Sequence, residues 1–203
     1  MRLKAKQPNT YAFIDSQNLN LGTQRMGWKL DWRKFRQYLA DQHGVTKAYM
    51  FIGYMSENEQ LYEYMHELGY LVVLKPTVDI STSHEAAAKA AAQAATKSGD
   101  DKEKDKDKEK SIVKGNVDTE LVLYAMKELP NYSRAIIVSG DGDFFSLAEY
   151  LQERGKLAQI LTPNWQYSSL LKAYDSKIIR LDQLRRQLAY HDRRKKKDRP
   201  NPT

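Results

Sequence analysis

The chain has 203 residues, a formal net charge of +7 and no cysteine. This length is enough for one domain with a sizeable core. The lack of cysteine excludes disulfides, thiolate zinc sites and cysteine nucleophiles. The first ten residues lack the apolar core of a secretory signal, and no apolar run approaches the ~18 residues that span a bilayer. We therefore expect a soluble cytoplasmic protein without a membrane partner.

Strand-like and helix-like segments alternate along the chain, which is typical of a doubly wound α/β fold with a mainly parallel sheet flanked by helices. Apolar runs and breaker residues predict strands over residues 11–14, 48–54, 70–74, 135–138, 157–161 and 177–181. Helices are predicted from Asp31 and over residues 118–129, 144–154 and 167–174. Another is predicted before Gly69, where the spacing of Leu61, Met65 and Leu68 places all three on one apolar face toward the core.

The alternation breaks at residues 79–111, which we interpret as an insertion. Residues 85–96 are rich in alanine and are expected to be helical by propensity alone. Residues 101–110 alternate acid and lysine without an apolar side chain to bury, so a disordered loop is expected there. The insertion therefore interrupts one domain that extends over residues 9–185.

Residues 186–203 form a basic tail that we expect to be disordered. Such charge runs commonly contact polyanions, and the simpler alternative is a tail that only improves solubility.

Four aspartates lie at the ends of apolar segments or face them: Asp15, Asp118, Asp141 and Asp143. Parallel strands bring their carboxyl ends to one edge of a sheet, where ligands bind. Clustered carboxylates repel one another unless a cation lies between them, and carboxylates are the ligands that Mg²⁺ prefers. In a positively charged chain, this pattern indicates a metal-dependent nuclease.

Each aspartate also has a structural interpretation. Asp143 could cap the helix that follows it, Asp118 could stabilise a helix dipole, and Asp15 could close a turn. Capping explains neither Asp141 nor the two glycines of the SGDGDF motif. We expect these glycines to permit a tight turn with unusual backbone dihedral angles.

Four segments occur in order along the chain: FIDSQNL, KGNVDTEL, AIIVSGDGDFFSLAEYLQERGK and SSLLKAYDSKIIRLDQL. They resemble the successive blocks of the NYN domain family, which has a PIN-like, Rossmann-like nuclease fold. The resemblance implies a parallel sheet with strand order 3-2-1-4-5 and a sixth strand. The first and fourth strands would then be neighbours about 5 Å apart, which would set Asp15 beside Asp141.

The resemblance also implies a function and roles for individual residues. Members of the family are typically metal-dependent ribonucleases, so we expect RNA as the partner and Mg²⁺ or Mn²⁺ as the cofactor. The catalytic acid positions map onto the four aspartates. Of these, Asp15 and Asp141 would hold the metal directly, and Asp118 and Asp143 would complete its coordination.

Four further residues are predicted to contact the substrate: Asn18, Lys114, Ser139 and Trp165. Asn18 matches a recurrent polar position of the family, and Lys114 matches a lysine before the aspartate of the second quoted segment. Ser139 opens the SGDGDF motif. Trp165 follows a predicted strand and could stack on unpaired bases, or it could pack beneath a loop.

One departure from the family pattern leaves alternatives open. Many members carry another acid six residues after the position of Asp118, where this chain has Tyr124. The preferred interpretation is an endoribonuclease that hydrolyses phosphodiesters of single-stranded RNA with one or two metal ions. The alternative is a non-catalytic RNA-binding or adaptor module on the same fold. A homodimer is one of the oligomeric states that the sequence leaves open.

Overall fold

The computed structural model describes residues 9–75 and 117–191 of the chain. Within these ranges, six parallel strands form one sheet with the order β3-β2-β1-β4-β5-β6. The strands are β1 (Thr10–Asp15), β2 (Val45–Gly53), β3 (Leu71–Lys75), β4 (Arg134–Val138), β5 (Leu157–Thr162) and β6 (Ile178–Arg180). The predicted α/β fold, its strand order and the sixth strand are confirmed.

The α-helices of the described residues are α1 (Ser16–Arg25), α2 (Trp32–His43), α3 (Glu59–Glu67), α4 (Asp118–Lys127), α5 (Phe145–Glu153) and α6 (Arg185–Leu188). Short 3₁₀ segments lie at Ser56–Asn58, Gly142–Phe144, Ser169–Lys177 and Leu181–Leu184. None of the helices in the described part of the chain is long and apolar enough to cross a membrane.

The sheet is buried on both faces, because successive side chains of each strand enter opposite cores. In β1, Ala12 and Ile14 pack into one core, which also contains side chains of α1, α2 and α3. Tyr11 and Phe13 point the other way, into a core that includes side chains of α4 and α5. This double burial explains why β1 and β4 consist almost entirely of apolar residues.

The order of the strands creates a topological switch point between β1 and β4. The chain moves outward from β1 through β2 to β3, and it returns to pair β4 with the other side of β1, with Ile14 opposite Val138. The connections after the two central strands therefore leave the sheet in opposite directions. A crevice forms at the carboxyl edge there, which is where α/β proteins bind ligands.

The observed elements differ from the predicted ones in three places. The segment after β1, predicted only as a polar edge, is α1, which buries Leu19, Gly22 and Thr23. The helix predicted over residues 144–154 begins as a 3₁₀ turn, and the one predicted over 167–174 is 3₁₀ in the structure. Leu61, predicted to face the core, is 42% exposed. Tyr62 is buried in its place, and its hydroxyl bonds to the backbone of Gly53 and Met55.

The folded part of the chain continues past residue 186, where the tail was predicted to begin. Leu188 at the end of α6 is fully buried, and Ala189 forms an antiparallel bridge with Leu30. The sequence analysis did not detect that Leu188 and Ala189 are buried, because arginine and glutamine dominate the residues before them. Lys114, the predicted insertion and the basic residues from 192 onward lie outside the described residues.

Candidate metal centre at the switch point

Asp15 is the last residue of β1, and its side chain is only 5% exposed. One carboxylate oxygen accepts a hydrogen bond from the backbone N–H of Asn18 at 3.0 Å and so caps α1. The other oxygen accepts from the Ser139 hydroxyl at 3.2 Å. Burial, with smaller contributions from the charges of Asp118 and Asp141, raises the pKa of Asp15 to about 6, although both hydrogen bonds act in the opposite direction.

The loop that follows β4 is held by a chain of hydrogen bonds that starts at Asp15. The Ser139 hydroxyl donates to Asp15 and accepts from the backbone N–H of Asp141 at 3.1 Å. The Asp141 carboxylate in turn accepts from the N–H of Asp143 at 3.1 Å. The side-chain oxygen of Asn18 accepts from the N–H of Gly140 at 2.9 Å. These bonds connect the ends of the two central strands and fix where the carboxylates point.

These contacts change the interpretation of three residues. The helix-capping role considered for Asp143 belongs to Asp141, which caps the 3₁₀ turn that leads into α5. Asp143 is exposed instead. Ser139 is 1% exposed, so in this geometry it positions two aspartates and presents no surface to a substrate.

Three carboxylates converge at this edge of the sheet. Asp118, in the first turn of α4, lies with Asp141 and Asp143 so that one oxygen of each falls within 4.8 Å of the others. The first two side chains are half-buried and the third is exposed. Asp15 is not a member of this triad, but its charge interacts with those of Asp118 and Asp141. Asp118, Asp141 and Asp143 are called the acidic cluster below.

The loop that follows β4, called the acidic loop below, contains Gly140 and Gly142, and neighbouring side chains pack closely against both. A Cβ atom on Gly142 would lie 2.4 Å from the Ser168 hydroxyl oxygen, and one on Gly140 would lie 3.2 Å from the Tyr167 Cβ. The expectation of unusual dihedral angles at these two positions was therefore wrong. The glycines with positive φ in the described part of the chain are Gly27, Gly44, Gly69 and Gly155.

A second loop, between β5 and the following 3₁₀ segment, lies next to the acidic loop. The backbone N–H of Ser168 donates to the carbonyl of Gly140 at 2.9 Å, which joins this loop to the acidic one. Trp165 lies on the second loop and is 56% exposed, so it does not pack beneath a loop. Its neighbour Asn164 is buried, and its amide donates to the Gly22 carbonyl of α1 at 2.9 Å. The sequence analysis missed Asn164, although its place after a proline is typical of a turn.

Tyr124, the departure from the family pattern, is partly buried and packs against the core on one face of the sheet. Its ring centroid lies 5.9 Å from that of Tyr49 and 5.7 Å from that of Phe51, both on β2. The residue therefore contributes aromatic packing between α4 and the sheet.

Another acid, Glu120, was not singled out from the sequence. It follows Asp118 by two residues on α4, and positions two apart on a helix point in different directions. Its carboxylate lies 3.0 Å from the ammonium group of Lys75, so it ties α4 to the edge strand β3.

The donor set of the acidic cluster fits a hard divalent cation. All three side chains offer carboxylate oxygens, which suit Mg²⁺ and Mn²⁺, and the described residues bring no thiolate or imidazole into the group. Three negative charges within 4.8 Å of one another repel unless a cation offsets them. The packing of the loops holds the carboxylates together despite this repulsion.

A doubly wound parallel sheet with the strand order 3-2-1-4-5-6 and an acidic cluster at its switch point is consistent with the PIN-like class of folds. Within that class, the chain belongs to the NYN domain family, whose model matches residues 9–182. The predicted membership is thereby confirmed.

The chain is also similar to two known proteins. The chain is 22% identical over 197 residues to the low amplitude and bright protein LabA of Synechococcus elongatus, covering 94% of this chain and 89% of that protein. It is also similar to the crystal structure of a protein of unknown function from Vibrio parahaemolyticus. That similarity has a TM-score of 0.62 and 18% identity, and it covers 93% of this chain and 100% of the other. At this level of identity the second likeness supports the fold alone.

Proposed function

We propose that this protein is a metal-dependent endoribonuclease whose catalytic centre is the acidic cluster. The observation that carries the proposal is the convergence of three carboxylates within 4.8 Å, from α4 and from the loop after β4. They meet at the switch point, where this fold class binds its ligands. Membership of the NYN domain family supports RNA as the substrate.

The geometry supports a division of roles that differs from the predicted one. Asp118, Asp141 and Asp143 would hold Mg²⁺ or Mn²⁺ directly, because their oxygens already lie close together. Asp15, predicted as a direct ligand, is buried and bonded to Ser139. Its proposed role is to position Asp141 through that serine and to add negative charge beneath the ion.

A bound ion would polarise a phosphate oxygen and lower the pKa of the attacking water. The water oxygen bonds to phosphorus as the ester P–O bond breaks, which leaves one phosphate monoester and one hydroxyl. Asp143, the most exposed carboxylate of the cluster, would accept the proton that the water loses on the oxygen that does not hold the ion. The buried hydrogen-bond chain from Asp15 keeps the acidic loop fixed during this step.

Single-stranded RNA is the proposed form of the substrate, because an exposed aromatic side chain lies next to the acidic loop. Trp165 is 56% exposed on the loop bonded to the acidic loop, and exposed aromatics of this kind stack on unpaired bases. Lys114 and the basic tail are proposed to neutralise phosphates, on the sequence alone. A cytoplasmic location and a homodimer remain predictions from the sequence.

A second candidate is an RNA-binding or adaptor module without catalysis. It is favoured by Tyr124, whose aromatic packing against β2 takes the place where many family members carry a further acid. On the nuclease proposal, the remaining carboxylates suffice for one ion.

Cleavage of a single-stranded RNA in Mn²⁺, Mg²⁺ or EDTA tests the proposal. We expect metal-dependent products that vanish in Asp141→Asn and persist in Asp41→Asn, which makes the same change at an exposed acid of α2. Duplex RNA and single-stranded DNA run in parallel define the substrate. Tight RNA binding with no cleavage in either metal would replace the nuclease with the binding module. Equal cleavage by the two variants would place the activity outside the acidic cluster.

A further inference from the structure

A cavity of about 470 Å³ opens at the carboxyl end of β2, and no step of the proposed reaction uses it. It lies between α1, the carboxyl end of β2 and α3, on the sheet face opposite α4. Ser16, which directly follows Asp15, is one of its walls. The volume is within the range of pockets that hold small organic groups, about 300–1,000 Å³.

One wall of the cavity is a row of amides on α1. Gln17, Asn20 and Gln24 are spaced three and four residues apart, so they share one helix face. The Gln24 amide nitrogen donates to the Asn20 side-chain oxygen at 3.1 Å, which orients both groups. Within the described part of the chain, the Asn20 side-chain nitrogen donates no hydrogen bond. Amides carry a donor and an acceptor side by side, which is the pattern that reads the edge of a base.

Much of the remaining lining consists of apolar, polarizable side chains. Trp32, Met50 and Met65 contribute to it, and thioethers make favourable contacts with flat aromatic rings. The Trp32 ring is held edge-on by Phe35 and Tyr70, with interplanar angles of 67° and 89°. A ring fixed in this way is a rigid surface for stacking.

The mouth of the cavity exposes apolar side chains that the fold itself does not bury. Met55 and Leu61 both line it and are 38% and 42% exposed. They lie before and within α3, where the predicted core position of Leu61 was not observed. Apolar side chains exposed around a concave site are typical of a ligand-binding surface.

The charge of the lining restricts the ligand further. Among the described lining residues Lys29 is the only charged side chain, and none is a carboxylate. A neutral, flat group with hydrogen-bonding edges fits the interior, and an attached phosphate fits the single ammonium group. These are the properties of a nucleobase in a nucleotide chain.

The position of the cavity links it to the reaction. Its wall at β2 is two strands away from β4, whose following loop carries Asp141 and Asp143, and adjacent strands lie about 5 Å apart, so the ends of β2 and β4 are about 10 Å apart. The Ser16 hydroxyl donates to the Phe51 carbonyl of β2 at 2.7 Å, so the wall and the end of β1 form a fixed unit. An RNA strand with a phosphate at the acidic cluster can span this distance and place a nearby base in the cavity.

We propose that this cavity binds one unpaired nucleobase of the RNA strand whose phosphate lies at the acidic cluster. That the base belongs to an RNA strand bound at the acidic cluster rests on the proposed function. That the ligand is a nucleobase rests on the side chains that line the cavity. The cavity would make the enzyme selective at one nucleotide next to the cleaved bond, because the amides of α1 contact the base edge.

The test measures affinity for a short single-stranded RNA in EDTA, so that it does not depend on cleavage. An abasic residue is moved through the RNA one position at a time. For the wild type, we expect the abasic residue to reduce RNA affinity most at one position. The reduction there should be about 5- to 100-fold, as for removal of a stacked base. Asn20→Ala and Leu61→Glu should weaken binding of the intact RNA and abolish that position-specific loss. Gln37→Ala on α2 and Met126→Glu on α4 are the matched controls outside the cavity.

The proposal depends on whether the two substitutions in the cavity remove the effect of the abasic residue at that one position, which is a coupling between protein and RNA changes. If Asn20→Ala and Leu61→Glu keep the wild-type profile of losses, the cavity does not hold a base. If nucleoside monophosphates bind the cavity more tightly than RNA does, its ligand is a free nucleotide and the strand assignment fails. Leu61 is exposed, so its substitution should leave the fold intact if Asn20→Ala unfolds the protein. If cleavage is absent but the coupling is observed, the nuclease proposal fails and the base site stands.

Discussion

Replacing Asp15 with asparagine should stabilise the metal-free protein at neutral pH. The buried carboxyl has its pKa raised from 3.8 to about 6, first by burial and then by the charges of Asp118 and Asp141. This difference is roughly two pH units, at ~1.4 kcal/mol each, so ionising Asp15 costs the native state about 3 kcal/mol. Asparagine has no charge to bury and is as good a helix cap as aspartate.

The stabilisation by Asp15→Asn should appear only as the pH rises. Between about pH 4 and pH 6 the native Asp15 binds a proton that the unfolded chain has already released. The free energy of unfolding of the wild type therefore falls with pH through this window, as far as this group is concerned. The difference between Asp15→Asn and wild type should be small near pH 4 and should approach its full value above pH 6.

Urea unfolding in EDTA, repeated from about pH 4 to pH 7.5, gives this difference directly. Asp31→Asn is the matched control, because Asp31 also caps a helix but is only half-buried. It shows what the same substitution does at a helix cap outside the acidic cluster. Mn²⁺ should then stabilise the wild type more than Asp15→Asn, because a ligand that binds only the native state adds stability by mass action.

A pH-independent difference for Asp15→Asn, or a destabilisation that grows with pH, would refute this reasoning. Either result would mean that the hydrogen bonds from Asn18 and Ser139 outweigh the cost of burying the charge. The carboxylate would then be a structural anchor of α1.

Three further outcomes are expected. Asp141→Asn should lose most of the rise in Tm that Mn²⁺ gives, whereas Asp41→Asn should keep it, as a thermal melt with and without metal will show. Gly142→Ala should destabilise the protein by about 1–3 kcal/mol, measured by urea unfolding, and by more than Gly140→Ala, because its Cβ atom meets Ser168 more closely. Truncation after His191 should leave the Tm unchanged. It should also flatten the salt dependence of RNA affinity by about 0.7 per lost phosphate contact, and an unchanged slope would exclude the tail from binding.

Much of the fold could be predicted because each central strand carries its own signal. Residues 11–14 and 135–138 are apolar throughout, and this pattern is typical of short strands buried on both faces. The polar segment after β1 carried no such signal, because α1 has few apolar residues and much of its burial uses Gly22 and Thr23. Helices of this kind are held by tertiary packing more than by propensity.

The sequence by itself determined the α/β class, the strand order through the family resemblance, and the four aspartates. Those features follow from local composition and from motifs a few residues long. Only the tertiary structure decided which carboxylates meet: Asp118 joins Asp141 and Asp143, whereas Asp15 is buried and lies outside the cluster. It also assembled the cavity from α1, β2 and α3. Such arrangements depend on contacts between segments far apart in the chain, and side-chain burial and direction are set by that packing.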